Sequence, residues 1–245
     1  MINVKGKWAL ITGASRGLGS KVALFMAQEG CHLILHSRER EHTENIAKQI
    51  AAYGVKTHRV SGELSDESAV LKLIEDVDAL GEDISLIFNN AGMQVAYRPD
   101  FYQTPASDYT KSFMINTIAP MMICYHFVPK MIEKGFGRII NTTSDIDKEP
   151  EQAGYSASKA ALEKVTRDLE TKTREHNVLL SLVNPSWCRT DLGGSYAPND
   201  PDSALPGLVL PAFIEESLEG KVLNAQDFKD MNLEEAYEKL TRSMR

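Results

Sequence analysis

The chain predicts an α/β fold: a doubly wound parallel sheet of about seven strands, helices on both faces, in one domain over 1–245. Three observations predict it. Short apolar runs alternate with longer amphipathic stretches, which is how parallel strands joined by crossover helices read. A glycine-rich turn, Thr12-Gly-Ala-Ser-Arg-Gly-Leu-Gly19, stands at the first junction between a run and a helix. At 245 residues, 42% hydrophobic and 25% charged, the chain is long enough to bury one sizeable core and ordinary enough to be globular.

The strands are expected at 8–12, 33–36, 57–60, 84–88, 138–142 and 179–183, each a short apolar run. Helical patterns fall between them at about 16–29, 41–53, 66–80, 106–134 and 152–176. Asn232 with Glu235 three residues on has the form of a capping box, which starts a last helix near 233–242. The segment 184–211 is irregular, with Gly193-Gly194 and prolines at 185, 198, 201, 206 and 211. It follows the carboxyl end of the sixth strand, where open parallel sheets bind ligands, so a substrate lid is expected at about 190–215. A mobile surface loop is the alternative. No linker, repeat or low-complexity segment interrupts this order.

A net charge of −7 and a pI near 5.4 argue against a general nucleic-acid binder, which carries a basic face. The most apolar segment, 113–131, contains Asn116, Pro120, His126 and Lys130 and reads as a buried helix, not a membrane span. The N-terminus lacks the apolar core of a signal peptide. Cys31, Cys124 and Cys188 are far apart, without metal-ligand spacing, so no metal is expected and a reducing cytoplasm suits them.

In the glycine turn, Gly13, Gly17 and Gly19 allow close backbone approach to a pyrophosphate, and the helix behind offers free N–H groups and a favourable dipole. At the end of the second strand, His36-Ser37-Arg38 stands where an acidic residue would bind the 2′-hydroxyl of NAD. Arg38 and Arg16 suit a 2′-phosphate instead, which favours NADPH/NADP+ over NADH. Tyr155 and Lys159 are four apart on a helical pattern and share a face; an ammonium there would lower the phenol's pKa and make it a proton donor and acceptor near neutrality.

With these residues in hand, the chain resembles the short-chain dehydrogenase/reductase family, whose sheet is Rossmann-like, over about residues 5–224. The motifs, in the family's order, are T-G-A-S-R-G-L-G at 12–19, N-N-A-G at 89–92, Asn116, Ser144, Tyr155-x-x-x-Lys159 and N-P-S-W-C-R-T at 184–190. Within the family the resemblance is to carbonyl and 3-oxoacyl reductases. It implies catalysis by Tyr155 as general acid, Lys159 lowering its pKa and holding the nicotinamide ribose, Ser144 polarising the carbonyl, and Asn116 holding a water for proton resupply. It implies cofactor contacts at Ser15 and Leu18 of the glycine turn, at Glu63 and Leu64, at Asn90, Ala91 and Gly92, and at Pro185 and Thr190.

Three features depart from the family's pattern. The connection from Ser144 to Tyr155 is short and its loop, 145–154, is acidic. Ser186 replaces a glycine, which costs the backbone freedom. Glu63 stands where an Asp is usual. The substrate wall is expected at Met93, Gln94, Ser144, Trp187 and Tyr196, with an apolar body beside the carbonyl and Asp145 and Asp147 disfavouring an anion there. The helices 106–134 and 152–176 look apolar over more than one face, which points to a homodimer or homotetramer. The leading expectation is an NADPH-dependent reductase of a ketone or aldehyde. The alternatives are a nucleotide sensor with little turnover, or the same chemistry run as an alcohol dehydrogenase.

Overall fold

The computed structural model describes residues 1–244. Seven strands form one sheet in the order β3-β2-β1-β4-β5-β6-β7, every neighbouring pair parallel. They are β1 (Trp8–Ile11), β2 (His32–Ser37), β3 (Thr57–Ser61), β4 (Ile84–Asn89), β5 (Gly137–Thr142), β6 (Val178–Asn184) and β7 (Val222–Asn224). The helices are α1 (Gly17–Gln28), α2 (Glu44–Ile50), α3 (Glu67–Ala79), α4 (Ala106–Phe113), α5 (Ala119–Lys134), α6 (Ala153–Thr173) and α7 (Leu233–Ser243).

Alternate side chains of each strand enter opposite layers. Ala9, Ile11, Leu33, Leu35 and Phe88 pack with Val22 and Met26 of α1, whereas Trp8, Leu10, Ile34 and Ile87 pack with Leu73 of α3, Phe127 of α5 and Leu162 of α6. Burial on both faces explains why the central strands are nearly continuous apolar runs. Strand order reverses between β1 and β4, so the carboxyl ends of these two strands open a crevice at the switch point.

Three elements differ from the sequence expectation. The seventh strand, Val222–Asn224, has only Leu223 buried, so it makes no apolar run. The helix expected over 106–134 is divided by a π-turn at Met114–Ile118. Pro120 has no N–H to return to the Asn116 carbonyl, so the α-ladder is broken there. The lid expected at about 190–215 is also divided. Its second half is core: Leu208, Val209, Leu210, Ala212, Phe213 and Ile214 are buried against the α1 side of the sheet. Only the first half, near 189–203, lies open over the crevice. Among the described residues no helix is long and apolar enough to cross a membrane, and no group of three or more His, Cys, Asp or Glu side chains could hold a metal ion.

Candidate active site

The floor of the crevice is the glycine turn. Gly13 and Gly17 have φ of 66° and 55°, the left-handed region that glycine tolerates. A Cβ on Gly19 would lie 2.2 Å from the Gly13 carbonyl and 2.5 Å from Asn90 Nδ2, so only glycine permits this packing. Thr12, which carried no role in the sequence reading, ties the turn to the β4 end. Its Oγ1 accepts from the N–H groups of Asn90 and Ala91, both at 3.1 Å, while Asn90 Nδ2 donates to the Thr12 carbonyl at 3.2 Å. Its signal was its place directly before the first glycine. Asn90 thus holds the turn together.

Behind the turn, α1 begins with Arg16 as N-cap, no side chain capping it and no acidic residue in its first turn. The free N–H groups and the positive end of the dipole therefore point into the crevice beside partly buried Ser15 and Leu18. An uncapped helix start, a turn in which a Cβ would clash, and a second loop from β3 together fit the pyrophosphate and adenosine of a dinucleotide. Arg38 is exposed at the end of β2, free to meet a phosphate. Arg16 is paired with Asp191 at 3.1 Å, both well exposed, so in this conformation it reaches toward the lid and not toward Arg38. In the β3–α3 loop Leu64 is buried, while Glu63 folds back to accept from Ser65 N–H at 3.0 Å.

The chemistry-bearing side chains stand along the neighbouring carboxyl ends. Ser144 follows β5, and Tyr155 and Lys159 lie on α6, both buried. Lys159 Nζ donates to the Thr142 carbonyl at 2.7 Å and sits 6.0 Å from the centre of the Tyr155 ring. Burial pushes the Lys159 ammonium down to about 8. The Tyr155 phenol is raised, not lowered as the sequence led us to expect. Burial raises it first; a hydrogen bond to Ser144 opposes this, and the Asp145 charge adds to it. Lys159 is committed to a backbone carbonyl, and a buried ammonium is itself disfavoured, so it does not offset the desolvation of the phenol.

Asn116 lies in the π-turn. Its amide accepts from Met93 N–H at 2.8 Å and donates to the Met93 carbonyl at 2.8 Å and to Ser158 Oγ at 3.0 Å. Both amide hydrogens are therefore engaged, and the side chain fastens the Met93 segment to α6. Gly92 is the opening between these groups: a Cβ there would lie 3.5 Å from Asn116 Oδ1 and 3.6 Å from Lys159 Nζ.

The proposed substrate wall is only partly assembled. Met93 and Gln94 are half-buried, and Gln94 Nε2 donates to Gln152 Oε1 at 2.6 Å, tying this segment to the start of α6. Trp187 is 55% exposed with Nε1 held by the Gly193 carbonyl at 2.7 Å. Tyr196 is 92% exposed and stands out in solvent instead of lining a wall, because no element among the described residues covers this open part of the lid. Pro185 is buried, and the Thr190 side chain lies 3.4 Å from where a Cβ on Gly17 would stand, so the lid's start overlies the glycine turn. Ser186 keeps the turn a glycine would make, at φ 61°, with its N–H bonded to Asn184 Oδ1 at 2.9 Å. Cys188 is buried and burial pushes its thiol up to about 11, which keeps it protonated near neutrality.

The family model for short chain dehydrogenase matches residues 7–201. The chain belongs to the short-chain dehydrogenase family. Among its relatives in that family is a 3-oxoacyl-[acyl-carrier-protein] reductase of Aquifex aeolicus, 30% identical over 194 residues, 78% of this chain and 77% of the relative. An uncharacterized oxidoreductase of Bacillus subtilis is 30% identical over 197 residues, 80% of this chain and 73% of the relative. Among solved structures, a metagenomic short-chain oxidoreductase in complex with NADP superposes with a TM-score of 0.76 at 27% identity, over 91% of this chain and 99% of that one. This short-chain dehydrogenase is thus an oxidoreductase of the family with a Rossmann-like sheet in a single domain.

Proposed function

We propose that this short-chain dehydrogenase reduces a ketone or aldehyde to an alcohol with NADPH. The observation that carries the reading is the convergence of Ser144, Tyr155 and Lys159 at one carboxyl edge, beside Gly92 and the glycine turn. The NADP complex of the metagenomic relative and the reductase activity named for the Aquifex relative support it. The glycine turn and α1 would hold the pyrophosphate, the Glu63–Leu64 loop the adenine, Arg38 the 2′-phosphate, and Lys159 and Thr190 the nicotinamide end. When bound, the nicotinamide supplies a hydride.

The chain's own residues do the rest. Ser144 hydrogen-bonds the substrate carbonyl oxygen and polarises it. Tyr155 donates its phenolic proton to that oxygen, and Lys159 holds the nicotinamide ribose beside it. Both side-chain hydrogens of Asn116 are engaged, so its main-chain carbonyl would accept from the water that resupplies the proton. A phenol with a raised pKa stays protonated near neutrality, the form that donates to a carbonyl oxygen. Alcohol oxidation, which needs the phenolate, should rise with pH. Met93 and Trp187 give the substrate an apolar body, and Asp145 disfavours an anionic group near the carbonyl. The three free, buried thiols suit the reducing cytoplasm. A second copy of the chain is the partner, docked on α5.

The test is oxidation of NADPH and NADH over a panel of ketones, aldehydes, quinones and 3-oxoacyl thioesters. Tyr155→Phe should cut turnover by about 10²–10⁴-fold with NADPH affinity kept, and Arg38→Asp should reverse the preference for NADPH. Near-full turnover in Tyr155→Phe would sink the assigned acid. Tight NADPH binding with silence across the panel would favour a sensor.

A further inference from the structure

His36 joins the two loops assigned to the dinucleotide, yet none of the chemistry above uses it. It is the penultimate residue of β2 and is 2% exposed. Nε2 lies 2.9 Å from the Gly62 carbonyl, and the Gly13 N–H donates to Nδ1 at 3.4 Å. A carbonyl oxygen only accepts, so Nε2 carries the proton and Nδ1 is the bare acceptor. One tautomer of one ring therefore satisfies both loops. Backbone bonds run alongside: Ala14 N–H donates to the His36 carbonyl at 2.8 Å, and Gly62 N–H to the Ser37 carbonyl at 3.1 Å.

The two ends of this bridge are Gly13, which opens the left-handed glycine turn, and Gly62, which precedes Glu63 and Leu64. Neither glycine has a side chain with which to hold its own loop. A dinucleotide reaching from the pyrophosphate turn to the adenine loop must touch both at once, so a fixed separation spares it the work of ordering them.

We propose that His36 is a positioning residue for the dinucleotide, setting the spacing between the pyrophosphate turn and the adenine loop. The inference rests on the NADP(H) reading of the site. Phe at 36 would fill the same buried slot while leaving the Gly13 N–H and the Gly62 carbonyl without a partner. His36→Gln keeps an N–H donor for the Gly62 carbonyl.

The experiment is NADPH titration by nicotinamide fluorescence on the wild type, His36→Phe and His36→Gln, with steady-state kinetics and thermal unfolding of the cofactor-free proteins. His36→Phe should raise both Kd and KM for NADPH by about 10-fold, the scale of one or two lost hydrogen bonds. In the same variant, kcat at saturating NADPH and KM for the carbonyl should hold within about twofold. His36→Gln should fall between Phe and wild type. Wild-type NADPH affinity in folded His36→Phe overturns the inference, as does a parallel loss of kcat and carbonyl affinity, which marks a general lesion. If His36→Phe does not fold, His36→Gln decides on the same criteria. A wild type that binds neither NADPH nor NADH is a distinct result: it removes the cofactor reading, and this inference with it.

Discussion

Lys159 is held where its charge is disfavoured. Its ammonium is buried, bonded to a single carbonyl, and pushed down to about 8. The unfolded lysine keeps its proton up to its ordinary value of 10.5, so between about 8 and 10.5 the unfolded state binds more protons and stability rises with pH. Below about 8 the penalty is present in full. Lys159→Met should therefore raise the unfolding midpoint at pH 7, with the gain fading as pH approaches 10.5, while turnover falls by at least about 100-fold. Thermal unfolding at pH 7 and pH 10 beside NADPH oxidation checks this; a lower midpoint at pH 7 would mean that the bond to Thr142 outweighs desolvation. The helical spacing of Tyr155 and Lys159 was legible in the chain because it is local. The sign of the Tyr155 shift was not, because burial depends on everything packed around α6. Ser186 shows the same division: its identity was plain, but only the fold reveals that it adopts a left-handed backbone at φ 61°.

At the scale of elements, α6 is placed by its contact with α4. A Cβ on Gly154 would lie 2.8 Å from the Asp108 carbonyl oxygen and 3.2 Å from the Tyr109 nitrogen, both backbone atoms that cannot swing aside. Gly154→Ala should push the start of α6, and Tyr155 with it, away from α4. The expected cost is about 1–3 kcal/mol of stability, with kcat lowered at least about 10-fold for a displacement near 1 Å and NADPH affinity retained. Chemical denaturation and steady-state kinetics measure both; unchanged kcat would show that α6 tolerates the shift. Sequence periodicity marked a helix across 106–134 but not its π-turn, because the turn needs Pro120 and the distant Met93 backbone that Asn116 grips. The division of the lid escaped for a similar reason. Proline spacing marks irregular chain, and it does not say that 208–214 lies in the core.

For the whole molecule, the proposed self-association needs an exposed apolar face. The exposed side of α6 carries the ion pairs Lys164–Asp168 and Arg167–Glu163, so it is not the apolar face that the sequence suggested. On α5 and the π-turn before it, Ile118 is 45% and Tyr125 59% exposed, with half-buried Met122 between them. Spacings of four and three set these side chains on one stripe that can meet its own copy across a two-fold axis. Tyr125→Glu should convert a dimer into a monomer, read by light scattering, with NADPH affinity unchanged. A wild type that is monomeric at all concentrations would overturn the assembly.

The sequence by itself determined the parallel sheet, the glycine turn at its switch point and the helical spacing of Tyr155 and Lys159, because each is written in local spacing or in a repeating apolar pattern. The tertiary structure alone decided what those groups experience. It raised the Tyr155 phenol by burial, committed Asn116 to Met93 and Ser158, and turned Arg16 toward Asp191. It buried half of the lid and put His36 between two loops that lie far apart in the chain. Desolvation and side-chain partnership arise between segments distant in sequence, and no local pattern encodes them.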